Sequence, residues 1–208
     1  MEMTKEDAVS PVVGVMLMLV VTIIIAAVVS GFAGGLAGGT KAAPSASINV
    51  KLNTAADDGM GGMTTKISFE MLSGDSIPTK DIEIVTYFTN ETGYVFKTSH
   101  SASSEAFDLY GTGTYSRLPY LNDPVAVGYA GNNPKADFGN YTWSTGDILA
   151  VGSIRQVADF LELPWTAGTY PNPDTIDDDS FKPGAVVDVK ILHVPSGKYI
   201  YDKEVVVV

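Results

Sequence analysis

The chain has no cysteine, which removes disulfides, thiolate nucleophiles and cysteine-ligated zinc together. Histidine is nearly absent. His100 and His193 stand far apart, outside any H-E-x-x-H context, and His193 falls in a strand pattern where packing is its expected role. Positive charge is scarce: 13 lysines and arginines face 24 acids, a net charge of −11, so the basic surface that nucleic acid demands is missing. No G-x-S-x-G and no P-loop occurs. The "GTGTYS" at Gly111 to Ser116 lacks the third glycine and the strand–helix setting of a dinucleotide loop. The expectation is a protein without catalytic residues and without a cofactor.

What the chain has in excess is apolar length at one end. From Val9 to Thr40 there is no charge, and Pro11 to Leu36 is a run of 26 apolar or small residues. As a helix it reaches roughly 39 Å at ~1.5 Å per residue, more than a hydrocarbon core of ~30 Å. A secretory h-region is shorter, about 7–15 residues, and follows a basic start. Here Met1 to Ala8 holds Lys5 against Glu2, Glu6 and Asp7. Ser10 is a good N-cap and Pro11 suits the first helical position, where its missing N–H costs nothing. The helix is expected to fade among Gly34, Gly35, Gly38 and Gly39. Such a segment spans a membrane.

Beyond it the chain changes character. Residues 38–47, "GGTKAAPSAS", read as a linker, and residues 48–208 as a soluble acidic domain carrying most of the negative charge. The hydrophobic period drops to two. Ile48, Val50 and Leu52 alternate with polar neighbours, as do Ile67, Phe69 and Met71, and then Ile82, Ile84, Thr86 and Phe88. Val187, Val189 and Ile191 open the clearest hairpin, turning at "PSG", Pro195 to Gly197. Asp147 to Ser153 is a further strand. Ser153 with Gln156 makes a capping-box pattern for one short amphipathic helix stopped by Pro164. Residues 99–145 are expected to form long surface loops with short strands, and residues 169–184 a loop. The fold class is α+β: a long N-terminal hydrophobic α-helix followed by an all-β, immunoglobulin-like antiparallel sandwich with Greek-key connections.

Three features of this chain carry candidate functions. Asp174, Asp177, Asp178 and Asp179 form an acidic loop. Without EF-hand spacing, solvated acids are the expected reading, and Asp177, Asp178 and Asp179 are the candidates for a hard cation. Asn90-Glu91-Thr92 and Asn140-Tyr141-Thr142 are N-glycosylation acceptors in expected surface loops. Ala27, Gly31, Gly35 and Gly39, spaced by four, leave a bare stripe on one helix face where another helix can approach closely; the alternative is a helix fraying into a glycine joint.

The stretch "DAVSPVVGVMLMLVVTIIIAAVVSGF", Asp7 to Phe32, resembles the N-terminus of archaeal type IV pilins, with Val9, Ser10, Pro11, Val12 and Gly14 where that family has them. The resemblance implies a prepilin leader, residues 1–8, removed by a prepilin peptidase between Ala8 and Val9. It implies a helix, residues 9–37, that is membrane anchor first and filament core later. It also implies a homo-oligomeric helical filament raised by an assembly ATPase and a membrane platform protein. Pro11, Gly14, Ala27, Gly31 and Gly35 are the expected helix–helix contact positions. Two departures stand out: Lys5 is the leader's single cation, and Val13 occupies the fifth mature position, where bacterial pilins carry a glutamate. Registry would then rest on apolar packing. The alternatives are an archaellum component and, from another class, a single-pass anchored surface domain that never polymerises.

Overall fold

The computed structural model describes residues 11–37, 42–57, 62–169 and 172–208. The chain forms two compact units, residues 1–41 and 42–208. In the first, α1 runs Pro11–Ala37. The leader and residues 38–41 of the expected linker lie outside the described residues.

The second unit is the head. Its first half runs β1 (Ala46–Asp57), β2 (Met63–Gly74), β3 (Ile77–Pro78), β4 (Ile82–Thr89), β5 (Val95–His100), β6 (Phe107–Asp108) and β7 (Tyr115–Ser116). Then follow β8 (Tyr120–Leu121), β9 (Thr142–Trp143), β10 (Ile148–Val151), α2 (Ile154–Leu161), β11 (Trp165–Thr166), β12 (Thr175–Ile176), β13 (Val186–His193) and β14 (Lys198–Val206). Two antiparallel four-stranded sheets dominate, in the orders β1-β2-β10-β8 and β14-β13-β4-β5. Lettering these eight strands in chain order as A, B, C, C′, D, E, F, G turns the orders into A-B-E-D and G-F-C-C′. That is immunoglobulin connectivity with one strand added to the C edge.

Strand period explains the packing. Ile48, Val50 and Leu52 of β1 and Ile67, Phe69 and Met71 of β2 are buried, and so are Ile82, Ile84, Phe88, Val187, Val189 and Ile191 across the second sheet; one core cluster holds them all. Antibody domains cross-link B to F with a disulfide. In this cysteine-free chain the buried faces of β2 and β13 supply apolar side chains instead. The alternation is possible because side chains two apart share a face of a strand.

Both ends of the head chain are tied down. Ser45 N–H donates to Asp75 Oδ2 at 2.9 Å, and Asp75 N–H donates to the Ser45 carbonyl at 2.8 Å. At the other end, Leu52 bridges Val207 in parallel, and Val208 N–H donates to the Leu52 carbonyl at 2.9 Å.

Helix α2 starts as its sequence predicts: the Ser153 hydroxyl accepts from Gln156 N–H at 3.3 Å. Gln156 reaches back one residue further than a capping box requires, accepting from Gly152 N–H at 2.8 Å. Its amide nitrogen donates to the Leu109 carbonyl at 3.1 Å, fastening the loop after β6 to the helix. The stop is not Pro164. Glu162 takes a left-handed conformation (φ 57°), and Leu163 N–H closes on the Ala158 carbonyl at 2.9 Å, a Schellman ending. Phe160 meets Phe69 edge-on at 6.1 Å and stacks on His100 at 4.0 Å, so α2 covers one side of the sandwich and touches both sheets.

Two expected loops differ from expectation. Within 169–184, Thr175–Ile176 pairs with Trp165–Thr166. Residues 99–145 contain four two-residue strands, as expected, and depart from a surface loop by burying Leu109, Leu118, Leu121, Phe138 and Trp143. Arg117 anchors this stretch by an ion pair to Asp137, whose Oδ1 also accepts Arg117 N–H at 2.6 Å. A loop that contributes five apolar side chains to a core is a packed element, whatever its secondary structure.

Candidate assembly helix and head surface

Val12 to Gly31 are 20 residues of helix, and every one is exposed on the isolated chain. At ~1.5 Å per residue they cover about 30 Å, the thickness of a hydrocarbon core. The helix has no polar face, so it cannot lie in a water interface with one side wet. Thr22 is one of two hydroxyl residues in the span, and its Oγ1 donates to the Leu19 carbonyl at 2.9 Å. A hydroxyl satisfied within its own helix needs no water and tolerates lipid or a dry protein core.

The expected contact positions lie along this helix. Gly14, Ala27 and Gly31 are in the exposed span, with open space beside Gly14 and Gly31. Gly35 lies in the last turns of α1 and Pro11 at its start. Four-residue steps advance about 40° around a helix of 3.6 residues per turn, so Ala27, Gly31 and Gly35 fall within about 80° of one another. Helical spacing thus places these three residues on one side of α1. Gly39 and the cleavage pair Ala8 and Val9 lie outside the described residues.

On the head, the acidic loop does not gather its carboxylates. Asp177 Oδ2 accepts from Thr166 Oγ1 at 2.8 Å, Asp178 Oδ1 from Ser180 N–H at 2.9 Å, and Asp174 Oδ1 from Gly168 N–H at 2.8 Å. Each ties a different piece of loop. Among the described residues no cluster of three His, Asp or Glu side chains is arranged for a metal ion.

The two sequons differ sharply. Asn140 is exposed; Asn90 is half-buried, against the expectation that both would be open. Asn90 Nδ2 donates to Asp178 Oδ2 at 3.0 Å, a partner 88 residues away that no local pattern signals. Burial pulls the Asp178 carboxyl up, but hydrogen bonds from Asn90 and Ser180 outweigh it and hold the pKa below its ordinary value.

The histidines are structural. His100 Nε2 shares a hydrogen bond with the Phe160 carbonyl at 2.8 Å, and His193 Nδ1 shares one with Ser196 Oγ at 2.8 Å in the β13–β14 turn. Burial lowers the His100 pKa, and the Phe160 carbonyl offsets part of that. A groove of about 570 Å³ runs beside His100 between β5 and α2. The "GTGTYS" segment is a hairpin loop whose Thr112, Gly113 and Thr114 N–H groups all donate to the Asp108 carboxylate, at 3.1, 2.9 and 3.2 Å.

An all-round apolar helix of membrane length followed by an immunoglobulin-like head fits a membrane-anchored precursor. The family comparison makes this specific, because residues 7–48 match the model described as archaeal type IV pilin, N-terminal. That segment is similar to the N-terminus of archaeal type IV pilins. The match covers α1 and runs into the first residues of β1; the rest of the head lies outside it. No curated protein and no solved structure matches the chain.

Proposed function

We propose that this protein is the structural, non-catalytic subunit of an archaeal type IV pilus-like extracellular filament used for surface attachment. The observation that carries the reading is the fully exposed, uncharged Val12–Gly31 helix within a pilin-type N-terminus. Cut free of its leader between Ala8 and Val9 by a prepilin peptidase, the precursor waits in the membrane. An assembly ATPase and platform protein then move the helix from lipid into a bundle of identical helices, with heads outside. The transfer exchanges one dry environment for another. It is driven by close packing, since lipid is as apolar as leucine and the hydrophobic effect contributes little. The Ser10-Pro11-Val12-Val13-Gly14 sequence favours a pilin over an archaellum component. The exposed sequon further supports an N-glycosylated head.

Electron microscopy of filaments sheared from cells, with mass spectrometry of the subunit N-terminus, tests this. The expected result is filaments whose subunit begins at Val9. A subunit that stays in the membrane fraction and yields no filaments identifies a non-polymerising anchored domain and overturns the reading.

A further inference from the structure

We propose that Asn140 is the glycan-bearing residue of the head and that Asn90 is a structural asparagine the folded protein keeps unmodified. This rests on the glycosylated-head reading above and assigns its site.

Joining a sugar to asparagine replaces one hydrogen of Nδ2, and the sugar must then leave along that direction into open space. At Asn90 one of the two Nδ2 hydrogens is committed and the side chain is half-buried. Nδ2 donates to Asp178 Oδ2 at 3.0 Å, which joins the β4–β5 turn to the loop before β13. The Oδ1 atom is occupied as well, accepting from Thr92 Oγ1 at 2.6 Å, Tyr94 N–H at 2.9 Å and Thr92 N–H at 3.1 Å. Next to it Glu91 N–H donates to Ser180 Oγ at 3.0 Å, and Lys182 pairs with Glu91 at 2.8 Å. The Asn90 side chain is thus the centre of a closed junction. A sugar on the second Nδ2 hydrogen would have to leave a half-buried site between two loops that the Asp178 contact holds together.

Asn140 is built the other way. Its backbone neighbours are fixed while its side chain is exposed. Thr79, fully buried, accepts Gly139 N–H on its Oγ1 at 3.0 Å and donates that hydroxyl to the Tyr141 carbonyl at 2.7 Å. Gly139 has φ +94°, and a Cβ there would lie 2.9 Å from Ala102 Cα, so the chain is pressed against its neighbour on that side. Tyr141 is held through its hydroxyl, which donates to the Pro119 carbonyl at 2.9 Å. Between these two clamps the Asn140 side chain projects outward, with one contact of 3.2 Å to Asp137 Oδ2. That oxygen already accepts Arg117 Nε at 3.0 Å, so losing the asparagine contact leaves no bare charge.

The ground beside Asn140 suits a saccharide. A groove of about 310 Å³ is lined by Asn140, Tyr115, Asn132, Asn133 and Pro134, with Tyr115 about half exposed. An aromatic ring beside amide groups offers a stacking face for sugar C–H groups and polar partners for hydroxyls. The first sugars on Asn140 lie against Tyr115.

Site-resolved glycopeptide mass spectrometry of protein from native filaments provides the test, together with Thr142→Ala and Thr92→Ala, which cancel one sequon each, and Thr142→Ser and Thr92→Ser, which retain them. The expected result is a glycan on the Asn140 peptide and none on the Asn90 peptide. Thr142→Ala should lose the whole glycan mass, and Thr92→Ala should lose none of it. Tyr115 nitration should be several-fold faster in Thr142→Ala than in Thr142→Ser. A glycan found on Asn90, or mass lost in Thr92→Ala, overturns the site assignment while the glycosylated-head reading stands. Bare peptides at both positions overturn both, and leave the filament reading untouched. Equal Tyr115 reactivity in the two Thr142 variants removes the groove as the sugar's resting place.

Discussion

In α1 the apolar side chains have nowhere to go within the chain: Val12 is 64% exposed and Met18 70%. In the head, Phe69 and Ile84 are at 0%. Both regions are rich in valine and isoleucine, and the difference lies in periodicity. Strands of period two turn one face inward and give water the other. Helix α1 is apolar all round, and its Val12–Gly31 stretch is exposed throughout. An all-round apolar helix suits a dry setting, a membrane span or a protein core. The comparison separates two kinds of stability: the head's is internal, while that of α1 belongs to whatever surrounds it. Damage to one should leave the other intact.

The sharpest test is the double change Gly31→Leu with Gly35→Leu. Leucine favours the bilayer, so membrane insertion is expected to persist, while close helix approach is blocked and filaments fall to background. Filament yield is read by microscopy and head stability by thermal melting, which should not move. Normal assembly would break the comparison by making these glycines a flexible joint. In the opposite sense, Phe69→Ala is expected to cost the head about 3–5 kcal/mol, measured by denaturant unfolding of residues 42–208, without affecting insertion of α1.

Smaller effects probe the packed loops. Asp137→Ala removes the acceptor of a half-buried arginine and is expected to cost about 1–3 kcal/mol, with faster amide exchange confined to the 99–145 stretch. Ser153→Ala removes a helix cap, for about 1 kcal/mol. The smallest is a pH effect at His100. Its folded pKa lies below 6.5, so the unfolded chain takes up the proton first as pH falls. The stability linked to its neutral ring is therefore full above pH 6.5 and is lost as pH drops towards the folded value. His100→Gln should flatten the dependence of melting temperature on pH in that window.

Much of this architecture was legible from local chemistry. The inward sets Ile67-Phe69-Met71 and Val187-Val189-Ile191 follow from alternation, and the Ser153 cap acts over three residues. The residues 99–145 were illegible for the opposite reason. Leu109, Leu118, Phe138 and Trp143 show no common period, yet all four are buried in the shared core. The stop of α2 at Glu162 was hidden too, since a left-handed glutamate has no strong sequence signal and Pro164 offered a conventional one.

The sequence alone determined α1, because helix hydrogen bonds close within four residues and an uninterrupted uncharged run needs no further information to span a membrane. It determined which face of each long strand turns inward, because side-chain alternation is a property of the single strand. Only the tertiary structure decided that β2 pairs with β10 and β4 with β13, which makes the sandwich immunoglobulin-like. It also decided that Asn90 is closed by Asp178 while Asn140 stays open. Two identical sequon patterns acquire opposite surroundings because contacts between distant segments depend on how the sheets stack, and no window of neighbouring residues contains that.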